Sequence, residues 1–187
     1  LTVVPLKGWK RSMTFDKTGM PWVLPSPHIP QPATAFYYPA TGILGELYYV
    51  SIGVGYTLPF QLICADWIDA DKFAERMNAL NLPGTKFRPI HVKPFYGTGK
   101  GENLQGVQFY VDDVPGSSLT LIQFYAMQEL TKLYPEKRIF DTATDKSRFD
   151  MFDKVCGTDK IRTLFSKNYQ VSDMIAVSYT HLRAHET

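Results

Sequence analysis

Between Gly8 and Trp67 the sequence is dense in Trp, Tyr, Pro and small residues, and it holds only three acids, Asp16, Glu46 and Asp66. Aromatic rings beside carboxylates suit carbohydrate chemistry. The C–H faces of a pyranose stack on aromatic rings, while carboxylates bind hydroxyls or act at the reacting centre. An aromatic-rich core has the same composition, so the pattern alone leaves both readings open.

Three places stand out within it. Glu46 interrupts a run that is otherwise uncharged from Gly42 to Ala65, where an ionised carboxylate needs a partner or water. It either orients a sugar or assists catalysis as an auxiliary group, or it is a charge at a strand edge. Asp66-Trp67 reads as a stacking platform with a hydroxyl acceptor, or as the approach to the next helix. His28 lies in a Pro-rich stretch, where its ring can both donate and accept hydrogen bonds or simply face solvent.

Other chemistries lack their residues. Gly53-Val-Gly55 has Leu58 where a dinucleotide loop needs its third glycine. Gly97-Thr-Gly-Lys-Gly101 has Pro94 in place of the first P-loop glycine and Gly101 in place of the magnesium-binding hydroxyl, which leaves a flexible basic loop at the rim of a cleft. No GxSxG elbow occurs. Cys64 and Cys156 form no CxxC pair and read as apolar fillers, so neither a metal nor a cofactor is expected. Net charge is +2 with Lys and Arg scattered, which gives no footprint for nucleic acid. The uncharged run Leu47 to Ala65 contains Ser51, Gly53, Gly55, Thr57, Pro59 and Gln61, which suit a soluble strand pair and burden a membrane helix.

The elements that must position these groups follow from pattern. With 187 residues, 44% hydrophobic and 20% charged, the chain holds one domain, or one plus part of a second. Five prolines between Pro21 and Pro32 make a rigid connector. Strands are expected at 35–38, 44–51, 58–64, 87–93 and 107–112. Helices are expected from the Asp69 cap to Leu80, from Ser117 or Ser118 to Tyr134, over 148–156 closed by Gly157, and over 159–165 capped by Thr158. A further helix begins at Ser172. The fold class is α+β, a mixed or antiparallel sheet with helices packed on it.

The order of motifs is more specific than any one of them. It runs Lys7-Gly8-Trp9-Lys10-Arg11, then Trp22 to Pro30 with Pro25-Ser26-Pro27-His28, then Tyr38-Pro39-Ala40, Glu46, Ser51 to Phe60, and Ala65-Asp66-Trp67-Ile68. This order resembles the exo-β-N-acetylmuramidase family, glycoside hydrolase family 171, over about residues 1–174. The resemblance implies a Rossmann-like N-terminal domain and a C-terminal α+β domain that close over a cleft. It also implies release of N-acetylmuramic acid from the non-reducing end of peptidoglycan fragments, in a periplasmic or secreted bacterial setting. Substrate-binding positions by resemblance are Trp22, Ser26, His28, Ser51, Asp66 and Trp67, with the main acid/base glutamate upstream.

By the same resemblance residues 1–32 form the last strand of an N-terminal domain that is missing here, plus the connector. The C-terminal domain is then 33–175, and the aperiodic stretch 176–187 is a non-native tail. The sequence departs from the family in three places. Ile52 and Val54 stand where Glu and Arg are expected, and His28 stands where Asn is expected. Loss of an Arg suited to forked carboxylate binding puts sugar preference in question and keeps open a non-catalytic carbohydrate-binding or surface-interaction protein.

Overall fold

The computed structural model describes residues 2–114, 116–143 and 145–175. Its centre is a three-stranded antiparallel sheet of β1 (Leu62–Ala65), β2 (Thr85–Val92) and β3 (Leu104–Val111), in the order β1-β3-β2. Alternation along β3 gives the sheet two faces. Val107 and Phe109 join Ile63 and Phe87 in the main core, while Leu104 joins Leu62, Cys64 and Val92 in a smaller one covered by Tyr56 and Leu58. The fold is α+β.

Both sheet edges are managed. The register turns Phe87, Pro89 and His91 of β2 away from β3. Asn78 takes both backbone groups of Phe87, at 2.7 and 3.0 Å, and Pro89 has no N–H to leave unpaired. On β1, Ser51 forms a single bridge, with Ser51 N–H on Cys64 O at 2.8 Å and the reverse bond at 3.0 Å.

Helices cover the main-core face. In α2 (Ala70–Ala79), Asp69 caps by accepting from Lys72 N–H at 3.1 Å, and Phe73 and Met77 are buried. In α3 (Leu119–Leu133) Ile122 to Leu130 are all buried except Tyr125, far more than one stripe. That burial encloses Gln123, Gln128 and Glu129, each with a partner. Glu129, 1% exposed, takes Arg76 at 2.6 Å and Lys132 at 2.7 Å. Gln128 accepts from Val171 N–H at 2.9 Å, and Gln123 reaches α1 (Thr34–Gly45). The short α4 (Ile139–Thr142) precedes α5 (Ser147–Cys156), which Gly157 ends at φ 74°, and α6 (Lys160–Asn168).

Two expected strands are a helix and its exit. Residues 35–38 belong to α1, although Phe-Tyr-Tyr-Pro favours extended backbone. Tertiary contacts override that preference. Ala40, Thr41 and Leu44 are buried, and the Gln123 amide donates to Pro39 O at 2.9 Å and accepts from Leu44 N–H at 3.0 Å. Pro39 removes one rung of the helix ladder, and Gln123 supplies bonds from outside it. Over 44–51 the chain leaves α1, turns through Tyr48 at φ 49°, and keeps only the Ser51 bridge. The strand pair expected over 47–65 therefore reduces to that bridge plus β1. Residues 2–6, expected as a strand, have no regular structure, and Val3, Val4 and Leu6 are exposed. The tail expected over 176–187 lies outside the described residues.

Burial pushes the thiols of Cys64 and Cys156 up to about 12, and neither forms a disulfide. Native protein at pH 8 should react with a thiol reagent far more slowly than protein in denaturant; equal rates would contradict the packing. Burial acts to raise the Glu129 carboxyl above its ordinary 4.5, but bonds from Lys132, Gln128 and Arg76 outweigh it and leave it lowered. A depressed folded value stabilises above the unfolded value and is lost as pH falls through the folded one. Glu129→Gln should therefore cost about 1–3 kcal/mol in urea unfolding at pH 7, with the gap narrowing below about pH 4.

Candidate functional site

Two of the motif blocks, the one that carries His28 and the one that begins at Ser51, meet at the end of the sheet where β2 passes into β3. The loop between them, residues 93–103, docks on the glycine-bearing segment after Ser51. Phe95 N–H donates to Gly55 O at 2.9 Å, and the Tyr96 carbonyl lies so close to Gly55 that a Cβ there would overlap it. Gly55 has φ 96°, so both its conformation and its space demand glycine. Gly101 N–H returns to Pro94 O at 2.8 Å and closes the loop on itself.

The Pro-rich connector completes the cluster. His28 Nδ1 lies 2.8 Å from the Tyr96 hydroxyl, and the two rings stand 5.7 Å apart. Ser26 Oγ accepts from His28 N–H at 3.2 Å, which orients the backbone that presents the imidazole. Trp22 donates its indole N–H to Ile29 O at 3.3 Å and meets Phe15 edge to face at 4.8 Å. Trp22 and Ser26 thus hold the connector that carries His28.

Ser51 enters this cluster from below. It is 1% exposed, its hydroxyl has no hydrogen-bond partner among the described residues, and it anchors the loop through its backbone. In this arrangement its side chain does not reach the surface. Ile52 is also buried and packs its Cδ1 against Gly45, which has no side chain to obstruct it. The apolar residue at this family position has become part of the core.

Asp66 and Trp67 form a second cleft of about 290 Å³ with Asp69, Lys72, Gln105 and Tyr134. Gln105 lines it from the start of β3, where it pairs with Ala65 at the end of β1. Trp67 packs against Tyr49 at 5.3 Å and Tyr134 at 5.2 Å, with Lys137 above it. Its ring is engaged by the protein and is no open stacking platform. Asp69 is taken by Lys72, and Asp66 makes no ion pair among the described residues.

Glu46 belongs to neither cluster and to no strand edge. It follows α1, accepts from Arg148 of α5 at 2.8 Å, and Arg148 also donates to Glu46 O at 2.7 Å and lies over the Tyr48 ring at 4.2 Å. The carboxylate that needed a partner has one, and it ties α1 to α5. A larger apolar groove of about 590 Å³, lined by Ile43, Leu121, Phe124, Val155 and Ile175, offers no chemistry of its own. Among the described residues, no three His, Cys, Asp or Glu side chains group to hold a metal ion, and no helix is long and apolar enough to cross a membrane.

Sequence reasoning placed the 97–101 loop at a cleft rim but passed over Phe95 and Tyr96, just ahead of its glycines. Gly55→Ala should strain this junction at two points. It is expected to cost at least about 2 kcal/mol in thermal or urea unfolding, and wild-type stability would remove the claim of close approach.

The family description "Exo-beta-N-acetylmuramidase NamZ, C-terminal" matches residues 36–187, and its N-terminal counterpart matches 1–33. The C-terminal match runs on across the stretch expected to be foreign. A Bacillus subtilis (strain 168) protein named peptidoglycan beta-N-acetylmuramidase NamZ is 38% identical over 175 residues, which is 94% of this chain and 41% of that protein. A crystal structure of a DUF1343 family protein from Bacteroides fragilis NCTC 9343 superposes with TM-score 0.87 at 55% identity, covering 89% of this chain and 43% of that one. The chain spans less than half the length of both. On these matches the chain belongs to the exo-β-N-acetylmuramidase NamZ family.

Proposed function

We propose that this chain supplies the sugar-facing C-terminal part of an exo-acting glycosidase. The enzyme removes N-acetylmuramic acid, or a related amino sugar, from the non-reducing end of peptidoglycan fragments. The observation that carries this reading is the 38% identity, across nearly the whole chain, to a protein named as a peptidoglycan β-N-acetylmuramidase. The convergence of His28 with the Gly53–Gly55 loop supports it, because motif blocks far apart in sequence meet at one accessible place.

Glycoside hydrolysis requires a pair of carboxylates about the scissile bond. Glu46 and Asp69 are engaged by Arg148 and Lys72. By the family resemblance the main acid/base glutamate belongs to the N-terminal unit, of which residues 1–33 are a portion. Exposed Val3, Val4, Leu6, Trp9, Val23 and Leu24 fit an apolar face that packs against that unit. In this reading His28 touches the sugar, Trp22, Ser26 and Ser51 hold the wall, Asp66 and Trp67 line a neighbouring cleft, and Glu46 fixes the helices behind. A cell-wall substrate fits a periplasmic or secreted setting.

Ile52 and Val54 favour a second reading, a carbohydrate-binding protein without catalysis. The two readings separate on one assay. Residues 8–175 replace the matching part of the Bacillus relative, which keeps Trp22, Ser26 and His28 with the loop, and a melting transition establishes that the chimera folds. Release of chromophore from a β-N-acetylmuramide is expected, with slower release from the matching glucosaminide. A folded chimera that binds peptidoglycan fragments and cleaves neither substrate would support the second reading and sink the first.

A further inference from the structure

We propose that Phe95 and Tyr96 form an aromatic wall that stacks on the pyranose ring of a 2-acetamido sugar, with His28 fixing the Tyr96 hydroxyl; this deepens the carbohydrate reading and rests on it. Phe95 is 63% exposed and Tyr96 40%, although both sit on a loop tied down at several points. Exposed neighbouring aromatics on anchored backbone cost free energy in water and lose little entropy when a ligand covers them. Their rings meet edge to face at 5.1 Å, so each holds the other's orientation.

The backbone under them is held at three contacts with the Val54–Gly55 segment. Gly55 O receives Phe95 N–H, Gly55 Cα meets the Tyr96 carbonyl, and Gly97 lies against Val54 O. Gly99 packs on the Leu104 side chain at the loop's far end. Such a platform is set before any ligand arrives.

Polar chemistry stands at its edge. The Tyr96 hydroxyl and His28 Nδ1 share one hydrogen bond, which leaves His28 Nε2 and one site on the hydroxyl oxygen for a ligand. In either tautomer the pair offers both a donor and an acceptor. A sugar carries apolar C–H faces and hydroxyls at its rim, and its 2-acetamido group supplies a further N–H and carbonyl. Apolar wall and polar edge together match that arrangement.

The test is a 15N–1H NMR titration of the 187-residue chain with N-acetylmuramic acid, and separately with N-acetylglucosamine. Shifts are expected at residues 28, 53–55 and 94–101. Phe95→Ala should weaken affinity roughly 3–10-fold, Phe95→Tyr should restore it, and Tyr96→Phe should shift His28 and weaken binding less than Phe95→Ala does. The spectrum of each variant reports whether it has folded. Shifts confined to Asp66, Trp67 and Tyr134, no binding by a folded chain, or wild-type affinity in folded Phe95→Ala would overturn the proposal. The outcome is separable from that of the chimera. A chimera that cleaves the muramide while Phe95→Ala binds normally removes the aromatic wall and leaves the glycosidase. An inactive chimera whose loop still binds sugar does the reverse.

Discussion

A helix buried on nearly every side cannot tolerate orphaned polar groups, and Gln123, Gln128 and Glu129 are the long polar side chains that α3 buries. Leaving any one unpaired costs on the order of 1–3 kcal/mol, so their partners dictate which segments pack around α3 and in what register. Gln123 takes the α1 backbone at Pro39 and Leu44, Glu129 takes α2 through Arg76, and Gln128 takes the C-terminal segment at Val171. Apolar burial supplies the drive to collapse. This polar row selects one arrangement from the many that would bury the same surface.

The site inherits its geometry from that row. Gln123 sets where α1 ends, and Arg148 clamps the turn that follows through Glu46. Thr41 Oγ1 ties α1 to Phe60 O at 2.9 Å, beyond the glycine segment. The chain between these anchors pairs once with β1 at Ser51 and then brings Gly55 against Tyr96. Each step leaves the next little freedom, so an exposed loop of glycines is held as firmly as the sheet beneath it. Burial of Ile52 against Gly45 shows the same economy, since an apolar residue at this family position is absorbed by a neighbour that has no side chain.

Legibility in the sequence followed the range of the interactions involved. Asp69 before α2, Gly157 after α5 and the alternation in β3 are local signals; both helices formed where expected, while β3 begins three residues earlier, at Leu104. The α1 helix was misread as a strand because its aromatic residues favour extended backbone, while the amide that holds it lies 79 positions away. Glu46 announced a need for a partner, but Arg148 is 102 positions distant and could not be named. Trp67 looked available for stacking until Tyr49 and Tyr134 occupied it. Motif order identified the family and singled out His28. It did not reveal Tyr96, whose meaning depends on a contact across 68 positions.

In the proposed function, sugar meets this domain where the connector, the glycine segment and the β2–β3 loop converge. A crystal structure of the chain grown with N-acetylmuramic acid addresses that claim directly. The account predicts a pyranose ring within about 4 Å of the Phe95 and Tyr96 rings, with a sugar oxygen or nitrogen in hydrogen-bond reach of His28 Nε2 or the Tyr96 hydroxyl. A sugar seated between Asp66 and Tyr134, with the loop bare, would contradict it.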